Sequence, residues 1–331
     1  MPAGINQVYE ENTFTSASAN FTGPGSLTVE EGAFIMVGTG DNALEMLQGP
    51  WKVKVDGAVE SGLNGIVFYN TGITTPLKNS ALTVGAEGTI LGSGSKYSGL
   101  SSNQAMDVTN SGVIQGGNIG IGFANFAPSS SKVVTITNNA TGVITGGYAG
   151  IFDNDESHSL IVKNAGNIDG VSWIGEAKIT NSGSINILEH LNSTMQHDDT
   201  ITNSGTANSV HLLTGDDTVK NTGQISTFVN LGNGNNSFVN SGFIGTDVAS
   251  GIGDDAIMNS GSITGDVHLG DGSNKLTNSG TIDGLIFGGG NDDLFKNSGV
   301  ATSFRLGCGS RHVDRGKPIG ARDRFGGRGH L

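Results

Sequence analysis

The stretch "NSGSITGDVHLGDGSNKLTNSGTIDG", Asn259–Gly284, decides the fold of this chain. It contains the pattern Asn-Ser-Gly-x-Ile twice, and the two asparagines stand 19 residues apart. Between the two copies lies Leu269-Gly-Asp-Gly, whose composition is typical of a tight turn. A repeat that keeps one Asn, one Gly and one Ile at a fixed interval indicates that these residues occupy equivalent positions in successive structural units.

The marker asparagine, which is followed two residues later by glycine, recurs through the second half of the chain. It stands at Asn164, Asn181, Asn203, Asn221, Asn240, Asn259, Asn278 and Asn297, and the last four steps are all 19 residues. Upstream the marker becomes less regular, but the glycine continues at wider spacing as Gly32, Gly57, Gly88, Gly112 and Gly142. The chain therefore contains about thirteen repeats, with long repeats first and 19-residue repeats later.

The repeat length and composition select one fold class. Helical repeats need about 33 or more residues with helical periodicity, and Gly and Asn disfavour helices. We therefore predict an all-β fold, a right-handed parallel β-helix (β-solenoid) of about thirteen coils stacked at about 4.8 Å. In this register Ile225, Ile244, Ile263 and Ile282 form one internal column. The marker asparagines form a second, similar to the amide ladders of cross-β stacks, and the glycines take positive φ or allow close backbone contact at corners.

The predicted domain organisation follows the spacing and the composition. Residues 1–26 form an N-terminal capping segment, 27–175 a β-helix with long coils, and 176–304 a β-helix with short coils. Residues 305–331 form a basic, disordered tail, because all six arginines of the chain lie there and like charges repel. The abrupt change predicts a frameshifted or truncated reading of a longer array from about residue 308. A genuine basic tail that binds an acidic surface is the alternative.

The composition narrows the classes of function. A net charge of −13 argues against nucleic acid as a partner, because phosphates require a basic face. One cysteine in 331 residues excludes a disulfide framework. No apolar run approaches the roughly 18 residues of a transmembrane helix, and the N-terminus lacks a classical signal peptide. An open strand edge at the last coil predicts end-to-end self-association.

A second turn motif lies half a coil from each marker asparagine, in "TGDDTV" (214–219), "LGNGNNSF" (231–238), "SGIGDDAI" (250–257), "LGDGSNKL" (269–276) and "FGGGNDDLF" (287–295), with "HDDTI" (197–201) as a glycine-free member. It resembles the calcium-binding nonapeptide of RTX (haemolysin-type) repeat proteins. The resemblance implies that Ca²⁺ binds at a column of aspartates. This cation takes about six to eight oxygen ligands. The members of the column are Asp199, Asp217, Asn236, Asp255, Asn274 and Asp292 or Asp293. The hydrophobic column beside it holds Ile201, Val219, Phe238, Ile257, Leu276 and Leu294 or Phe295.

The chain departs from the RTX pattern in two respects. It carries the nonapeptide-like turn on one side of each coil only, and two of its six aspartate positions are asparagine. The alternative is therefore a turn without a metal, since Asp and Asn tolerate left-handed geometry and bond to their own backbone.

The alternation of Asn-Ser-Gly-x-Ile coils with Gly-x-Gly-x-Asp turns also resembles the passenger domains of autotransporters and other large surface proteins of Gram-negative bacteria. This resemblance implies an extracellular or cell-surface protein that is structural or adhesive, with a glycan or a host-cell surface as partner. The alternative is a polysaccharide-acting β-helix enzyme, a lyase, hydrolase or epimerase. We favour the protein without enzymatic activity.

Two clusters carry the residue types that an enzyme or metal site requires. The first, "FDNDESHS", supplies the catalytic candidates Asp153, Asp155, Glu156 and His158. The second, "LEHLNSTMQHDD", contains Glu189, His190, His197, Asp198 and Asp199, and its two histidines are candidate metal ligands. The competing interpretation of both clusters is a solvated acidic loop.

Overall fold

The structure is a computed structural model that describes residues 5–10, 14–15, 18–69, 79–124, 133–191, 195–305 and 311–315. Within these residues every regular element is a β-strand, and no helix is long and apolar enough to cross a membrane. The fold is all-β, with parallel strands stacked as a β-solenoid of about 12 turns. This confirms the predicted fold class and agrees roughly with the thirteen coils inferred from the sequence.

The chain forms two compact units. The first consists of Met1–Ile179 and Gly183–Ile185, and the second of Thr180–Ser182 and Asn186–Leu331.

Short strands make up both units. Those of the first unit are β1 (Ile5–Tyr9), β2 (Phe14–Thr15), β3 (Ala19–Thr22), β4 (Gly25–Val29), β5 (Phe34–Val37), β6 (Leu44–Leu47), β7 (Trp51–Val55), β8 (Ala58–Ser61), β9 (Ile66–Tyr69), β10 (Ser80–Val84), β11 (Thr89–Gly92), β12 (Ser98–Ser102), β13 (Met106–Asn110), β14 (Val113–Gly116), β15 (Ile119–Ala124), β16 (Val133–Asn138), β17 (Val143–Gly146), β18 (Ala149–Asn154), β19 (Ser159–Asn164) and β20 (Asn167–Trp173). Next come β21 (Glu176–Asn181) and β22 (Ser184–His190), at the division. Those of the second unit are β23 (Thr200–Asn203), β24 (Thr206–His211), β25 (Thr218–Asn221), β26 (Gln224–Ile225), β27 (Val229–Asn230), β28 (Ser237–Asn240), β29 (Phe243–Ile244), β30 (Val248–Ala249), β31 (Ala256–Asn259), β32 (Ser262–Ile263), β33 (Val267–His268), β34 (Lys275–Asn278), β35 (Thr281–Phe287), β36 (Asp293–Asn297), β37 (Val300–Arg305) and β38 (Arg311–Arg315).

Each coil contributes strands to two sheets, and every pairing is parallel. In the first unit one of the sheets is built from every third strand of the chain, in the order β1, β4, β7, β10, β13, β16 and β19. In the second unit the corresponding order is β23, β25, β28, β31, β34, β36 and β38. The described part of the predicted capping segment follows the same plan, because β1 pairs in register with β4.

The apolar columns predicted for the second unit are present. Ile225, Ile244, Ile263 and Ile282 are direct partners in successive parallel pairs, and each is fully buried. The hydrophobic column also stacks in register, with the members Ile201, Val219, Phe238, Ile257, Leu276 and Phe295. Its last member is therefore Phe295 and not Leu294.

The asparagine column is a continuous hydrogen-bonded ladder within each unit. In the second unit each Nδ2 donates to the Oδ1 of the next asparagine at 2.7–2.9 Å, through Asn181, Asn203, Asn221, Asn240, Asn259, Asn278 and Asn297. The same Nδ2 of Asn259 also donates to the carbonyls of Gly261 and Thr281. The amide is thus satisfied by its own repeat, as a buried polar group requires.

In the first unit the ladder is shorter. Asn110, Asn138 and Asn164 form it, at 2.9 and 2.8 Å. The same register position upstream is held by the buried valines Val29, Val55 and Val84. A valine has no polar group to satisfy, so an apolar column replaces the ladder and the sequence marker disappears.

Glycine is required for a different reason at each of the two corners. At the Asn-Ser-Gly corner a Cβ on Gly261 would overlap the carbonyl oxygen of Gly242 one coil earlier, so close approach excludes a side chain. At the opposite turn Gly232 and Gly234 have φ of +74° and +125°, a region that favours glycine. Both reasons expected from the sequence are therefore present.

The predicted basic tail is described only at Arg305 and Arg311–Arg315. The latter residues form β38, which pairs with β36 so that Arg311 lies opposite Asp293 and Val313 opposite Phe295. For these five residues the structure differs from the disorder we expected, because backbone pairing to a strand edge depends little on side-chain identity. Residues 306–310 and 316–331, on which the frameshift hypothesis also depends, lie outside the described residues.

We predict that Ile263→Asp destabilises the second unit by about 3 kcal/mol or more, because it places an unpaired charge in a fully apolar column. Met258→Asp is the matched control, since Met258 is 49% exposed. The control should change the free energy of unfolding by less than about 0.5 kcal/mol. Urea denaturation measures both, and an equal effect of the two substitutions would contradict the register.

Candidate functional site

The aspartate column of the second unit consists of Asp199, Asp217, Asn236, Asp255, Asn274 and Asp293, none more than 6% exposed. The backbone N–H of each member donates to Oδ1 of the member in the next coil, at 2.7–3.1 Å. The column is therefore a second internal ladder, built from side-chain oxygens and backbone amides. It lies at the glycine-rich turns that resemble the RTX nonapeptide.

The structure decides between the two candidates for the last member. Asp293 is buried, and its Oδ1 accepts the N–H of Asn274. Asp292 is exposed and lies outside the column. Its inclusion among the candidate ligands came from the adjacent pair of aspartates, which the sequence pattern could not separate.

A second, exposed ladder runs beside the aspartate column, and the sequence analysis missed it. In this ladder the backbone N–H of each member donates to the side-chain oxygen of the member one coil earlier, at 2.7–2.9 Å. The members are Asp198, Asp216, Asn235, Asp254 and Ser273. The signal was the doublet Asp-Asp or Asn-Asn, which recurs in step with the repeat. Its first residue points outward and its second inward, because successive side chains of extended backbone face opposite sides.

Asparagine and aspartate are not equivalent in the buried column. Nδ2 of Asn236 donates to the carbonyls of Gly232 and Gly234, at 3.3 and 3.1 Å. Nδ2 of Asn274 donates in the same way within its own turn, to Gly270 and Gly272. A carboxylate has only acceptors, so an aspartate at this position has nothing to donate to the carbonyls of its turn.

Two aspartates of the column show the consequence. Asp217 and Asp255 are 1% and 2% exposed, and the Oδ2 atom of each has no hydrogen-bond partner among the residues that the structure describes. A buried carboxylate oxygen without a donor is costly. These two oxygens are therefore the acceptors of the column that its own turns do not satisfy.

Burial is the main cause of the pKa shifts in this column. It raises the pKa of Asp217 to about 7, and the charges of Asp199 and Asp198 act in the same direction. The N–H of Asp199 and the charge of His190 oppose the rise. Burial also raises the pKa of Asp255, with hydrogen bonds from Asn236 and Ser250 opposing and the charge of Asp254 adding to the rise.

The first acidic cluster does not form an open catalytic site. Nε2 of His158 lies 2.9 Å from Oδ2 of Asp153, and both residues are buried. Oδ1 of Asp155 accepts the N–H and the hydroxyl of Ser157, and Glu156 is exposed away from the pair. The structure therefore brings His158 and Asp153 together as an internal pair and leaves Glu156 outside it.

The second cluster is also largely internal. Nδ1 of His190 lies 2.9 Å from Oδ2 of Asp199, with both side chains fully buried. The ring of His197 has its centroid 6.0 Å from that of His190. Glu189 instead faces His211, at 3.7 Å. The two candidate metal-binding histidines are thus neighbours, and one of them is paired with the first aspartate of the column.

The donor chemistry of the column fits a hard cation. Within the described ranges, no three His, Cys, Asp or Glu side chains are arranged to hold a metal ion. The column offers instead the second carboxylate oxygens of Asp217 and Asp255. Beside them are glycine carbonyls like those that accept from the amides of Asn236 and Asn274. Ca²⁺ binds carboxylates, backbone carbonyls and water, so this set suits Ca²⁺ better than a metal that prefers nitrogen or sulfur.

No protein-family model, curated protein or solved structure matches this chain. The functional assignment therefore depends on the geometry of the two columns and of the two acidic clusters.

We predict that His158→Ala lowers the stability of the first unit by about 3 kcal/mol, because it leaves the buried Asp153 without its partner. Burial raises the pKa of Asp153, so the loss should shrink at acidic pH, where Asp153 is protonated. Glu156→Ala is the control and should change stability by less than about 0.5 kcal/mol. Thermal unfolding at two pH values tests this, and an unchanged His158→Ala variant would show that the pair has no structural role.

Proposed function

We propose that this chain is a structural or adhesive β-solenoid repeat protein that works outside the cell or at its surface, with later coils stabilised by Ca²⁺. The observation that carries the proposal is the in-register stacking of the internal columns in the second unit. Successive coils there repeat the same kinds of inner residue, while outward positions such as Lys220, Val239 and Met258 differ at one register position. A constant interior with a variable surface suits a rigid support that presents binding side chains, as in other stacked-repeat proteins.

The proposed ligands of Ca²⁺ are the aspartates of the column. Asp217 and Asp255 supply the buried oxygens without partners, and Asp199 and Asp293 occupy the same position in coils of the same unit. Asn236 and Asn274 contribute no charge, and their amides already satisfy the carbonyls of their own turns. We therefore assign Ca²⁺ to the aspartate turns. At the asparagine turns the side-chain amide already satisfies the turn carbonyls, so no cation is needed there.

The enzymatic alternative, a lyase, hydrolase or epimerase acting on polysaccharides, relied on the first acidic cluster. Its Asp153 and His158 are at most 5% exposed and bond to each other. A general acid or base must reach the proton that it transfers, so this cluster gives the alternative no support. A glycan or a cell surface remains the proposed partner.

Binding and turnover assays on glycans separate the two functions. We expect retention on a glycan array or on cells without any change in chain length of alginate or pectin. Product formation from either polymer would favour the enzyme. The His158→Ala and Glu156→Ala variants show whether any such activity depends on the first cluster.

We predict that millimolar Ca²⁺ raises the melting temperature at about pH 8, because a ligand that binds only the folded state stabilises it by mass action. At a free concentration about 100-fold above Kd the gain for one site is about 2.7 kcal/mol. Asp255→Asn should lose part of this gain, since its amide would donate to the turn carbonyls as those of Asn236 and Asn274 do.

Asp254→Asn is the matched control for the calcium experiment. It removes the same charge one residue away, on the exposed ladder, and keeps the oxygen that accepts the N–H of Ser273. This variant should retain the full response to Ca²⁺. If calorimetry detects no heat of Ca²⁺ binding and EDTA leaves the melting temperature unchanged, the turns are structural without a metal.

A further inference from the structure

We propose that the second unit binds a neutral pyranose sugar over Ala249, on the outward face of β27, β30, β33 and β35. The inference rests on the proposed function, because it takes a glycan as the partner, and it adds the place and the chemistry of the contact. The ring of His268 packs against a C–H face of the sugar. Asn230, Asp247 and Asp266 bond to its hydroxyl groups.

The site belongs to a column of outward residues. Val229, Val248 and Val267 are inward and fully buried, so the residue that follows each of them faces outward. These outward residues are register partners in successive coils, in the order His211, Asn230, Ala249, His268, Phe287 and Arg305. Alanine is the smallest of these six side chains, and it stands between an asparagine and a histidine. We call this position the Ala249 gap.

The aromatic stack of this column ends at the gap. The ring centroids of His268 and Phe287 are 4.6 Å apart, and their planes differ by 4°. The guanidinium carbon of Arg305 lies over the Phe287 ring, 6.0 Å from its centroid. On the other side of His268 the column offers only the methyl group of Ala249. One face of the His268 ring therefore has no aromatic or basic partner in the column.

The spacing of the coils fits one sugar ring into the gap. Asn230 and His268 are two coils apart, about 10 Å, and atoms in contact lie about 3.5–4 Å apart. One ring layer over Ala249 therefore contacts both neighbours. It lies about as far from His268 as Phe287 does on the opposite side. The negative face of an aromatic ring attracts the polarised C–H groups that a pyranose presents.

Two carboxylates lie beside the gap, and the backbone fixes both of them. Asp247 and Asp266 stand two residues before Ala249 and His268, about 7 Å away on the same face. Oδ1 of Asp247 accepts the N–H of Asp266 at 2.8 Å, and Oδ1 of Asp266 accepts the N–H of Leu285 at 2.7 Å. Neither side chain is buried. The second oxygen of each is an acceptor for a sugar hydroxyl.

The amide of Asn230 supplies the complementary donor. Its Oδ1 accepts the N–H of Gly232 at 3.1 Å, so the side chain is held by its own turn and Nδ2 serves as the donor. A hydroxyl group both donates and accepts, and it can therefore bond to a carboxylate and to this amide together. Polar groups that are already fixed lose little freedom on binding, which favours affinity.

The charges around the gap select a neutral sugar. Asp247 and Asp266 place two negative charges beside it, and the arginine of the column, Arg305, lies beyond Phe287. A uronate is therefore repelled, whereas the hydroxyl groups of a hexose donate to the carboxylates. An aromatic side chain of a partner protein could stack on His268, but it would leave both carboxylates without donors.

The test is binding of the full chain to an array of neutral hexose oligosaccharides and of alginate and pectin oligosaccharides. EDTA is present, so that Ca²⁺ does not bridge the protein to the uronates. We expect the wild type to bind neutral oligosaccharides and to bind the uronates about tenfold more weakly or less. A wild type that prefers the uronates would overturn the site.

Ala249→Trp places a ring in the gap and should weaken binding of the neutral oligosaccharide by about tenfold or more, because the His268 face is then covered. Ala256→Trp is the matched control. Ala256 is exposed on β31, in the other sheet of the same unit, and this variant should bind as the wild type does. Thermal unfolding checks that both variants are folded.

The double variant Asp247→Asn, Asp266→Asn tests the carboxylates. Each amide keeps the Oδ1 that accepts a backbone N–H, so the turns are preserved while the charge is lost. Binding of the neutral oligosaccharide should fall about fivefold, because hydrogen bonds to charged groups are the stronger ones, and binding of the uronates should rise. Unchanged binding of both classes would contradict the assigned role.

Nuclear magnetic resonance of the folded wild type decides the question even if Ala249→Trp fails to fold. On titration with the oligosaccharide that binds best on the array, the imidazole signals of His268 should shift and those of His211, beyond Asn230, should not. If the wild type binds glycans or cells while His268 is unaffected or Ala249→Trp binds equally well, the proposed function stands and this site is overturned. If the wild type binds neither glycans nor cells, the proposed partner fails together with the site.

Discussion

The parallel, in-register stacking of coils is the constraint on which the rest of this structure depends. Because each coil lies about 4.8 Å from the next, every inner side chain faces the equivalent residue of its neighbours. An inner residue is therefore acceptable only if it can pack against, or bond to, a copy of itself. Ile244 and Ile263 meet this condition by apolar contact, and Asn240 and Asn259 meet it by donating and accepting at 2.8 Å.

The two polar ladders show how this constraint separates asparagine from aspartate. An amide carries both a donor and an acceptor, so the asparagine column closes on itself and satisfies the corner carbonyls as well. A carboxylate carries only acceptors. Oδ1 of Asp217 and of Asp255 accepts the backbone N–H of the preceding coil, and Oδ2 of each accepts no hydrogen bond from the described residues. The second carboxylate oxygens of Asp217 and Asp255 are therefore buried polar atoms that the described residues leave unsatisfied, and they are the basis of the proposed Ca²⁺ sites.

The same constraint leaves the outer surface free to vary. Outward residues contact solvent and their immediate neighbours, so Val239, Met258 and Thr277 can follow one another at one register position. Two histidine–carboxylate pairs lie inside the coils, His158 with Asp153 and His190 with Asp199. Histidine and aspartate are common catalytic residues, but in these pairs each histidine contacts the aspartate beside it.

The sequence by itself determined the fold class, the register and most members of the inner columns. A repeat of about 19 residues with fixed Asn, Gly and Ile positions predicts a stacked β-structure. In such a stack, residues that are one repeat apart in the sequence contact each other. The structure decided which of two adjacent aspartates, Asp292 or Asp293, points inward, and it places the inward Asp293 19 residues after Asn274, in step with the preceding members of the column. It also showed that Asp153 and His158 are enclosed and that, within the described part of the chain, Asp217 and Asp255 each lack a donor at Oδ2. Enclosure and missing partners depend on neighbours from other coils and on the depth of burial, which a pattern of residue types does not contain.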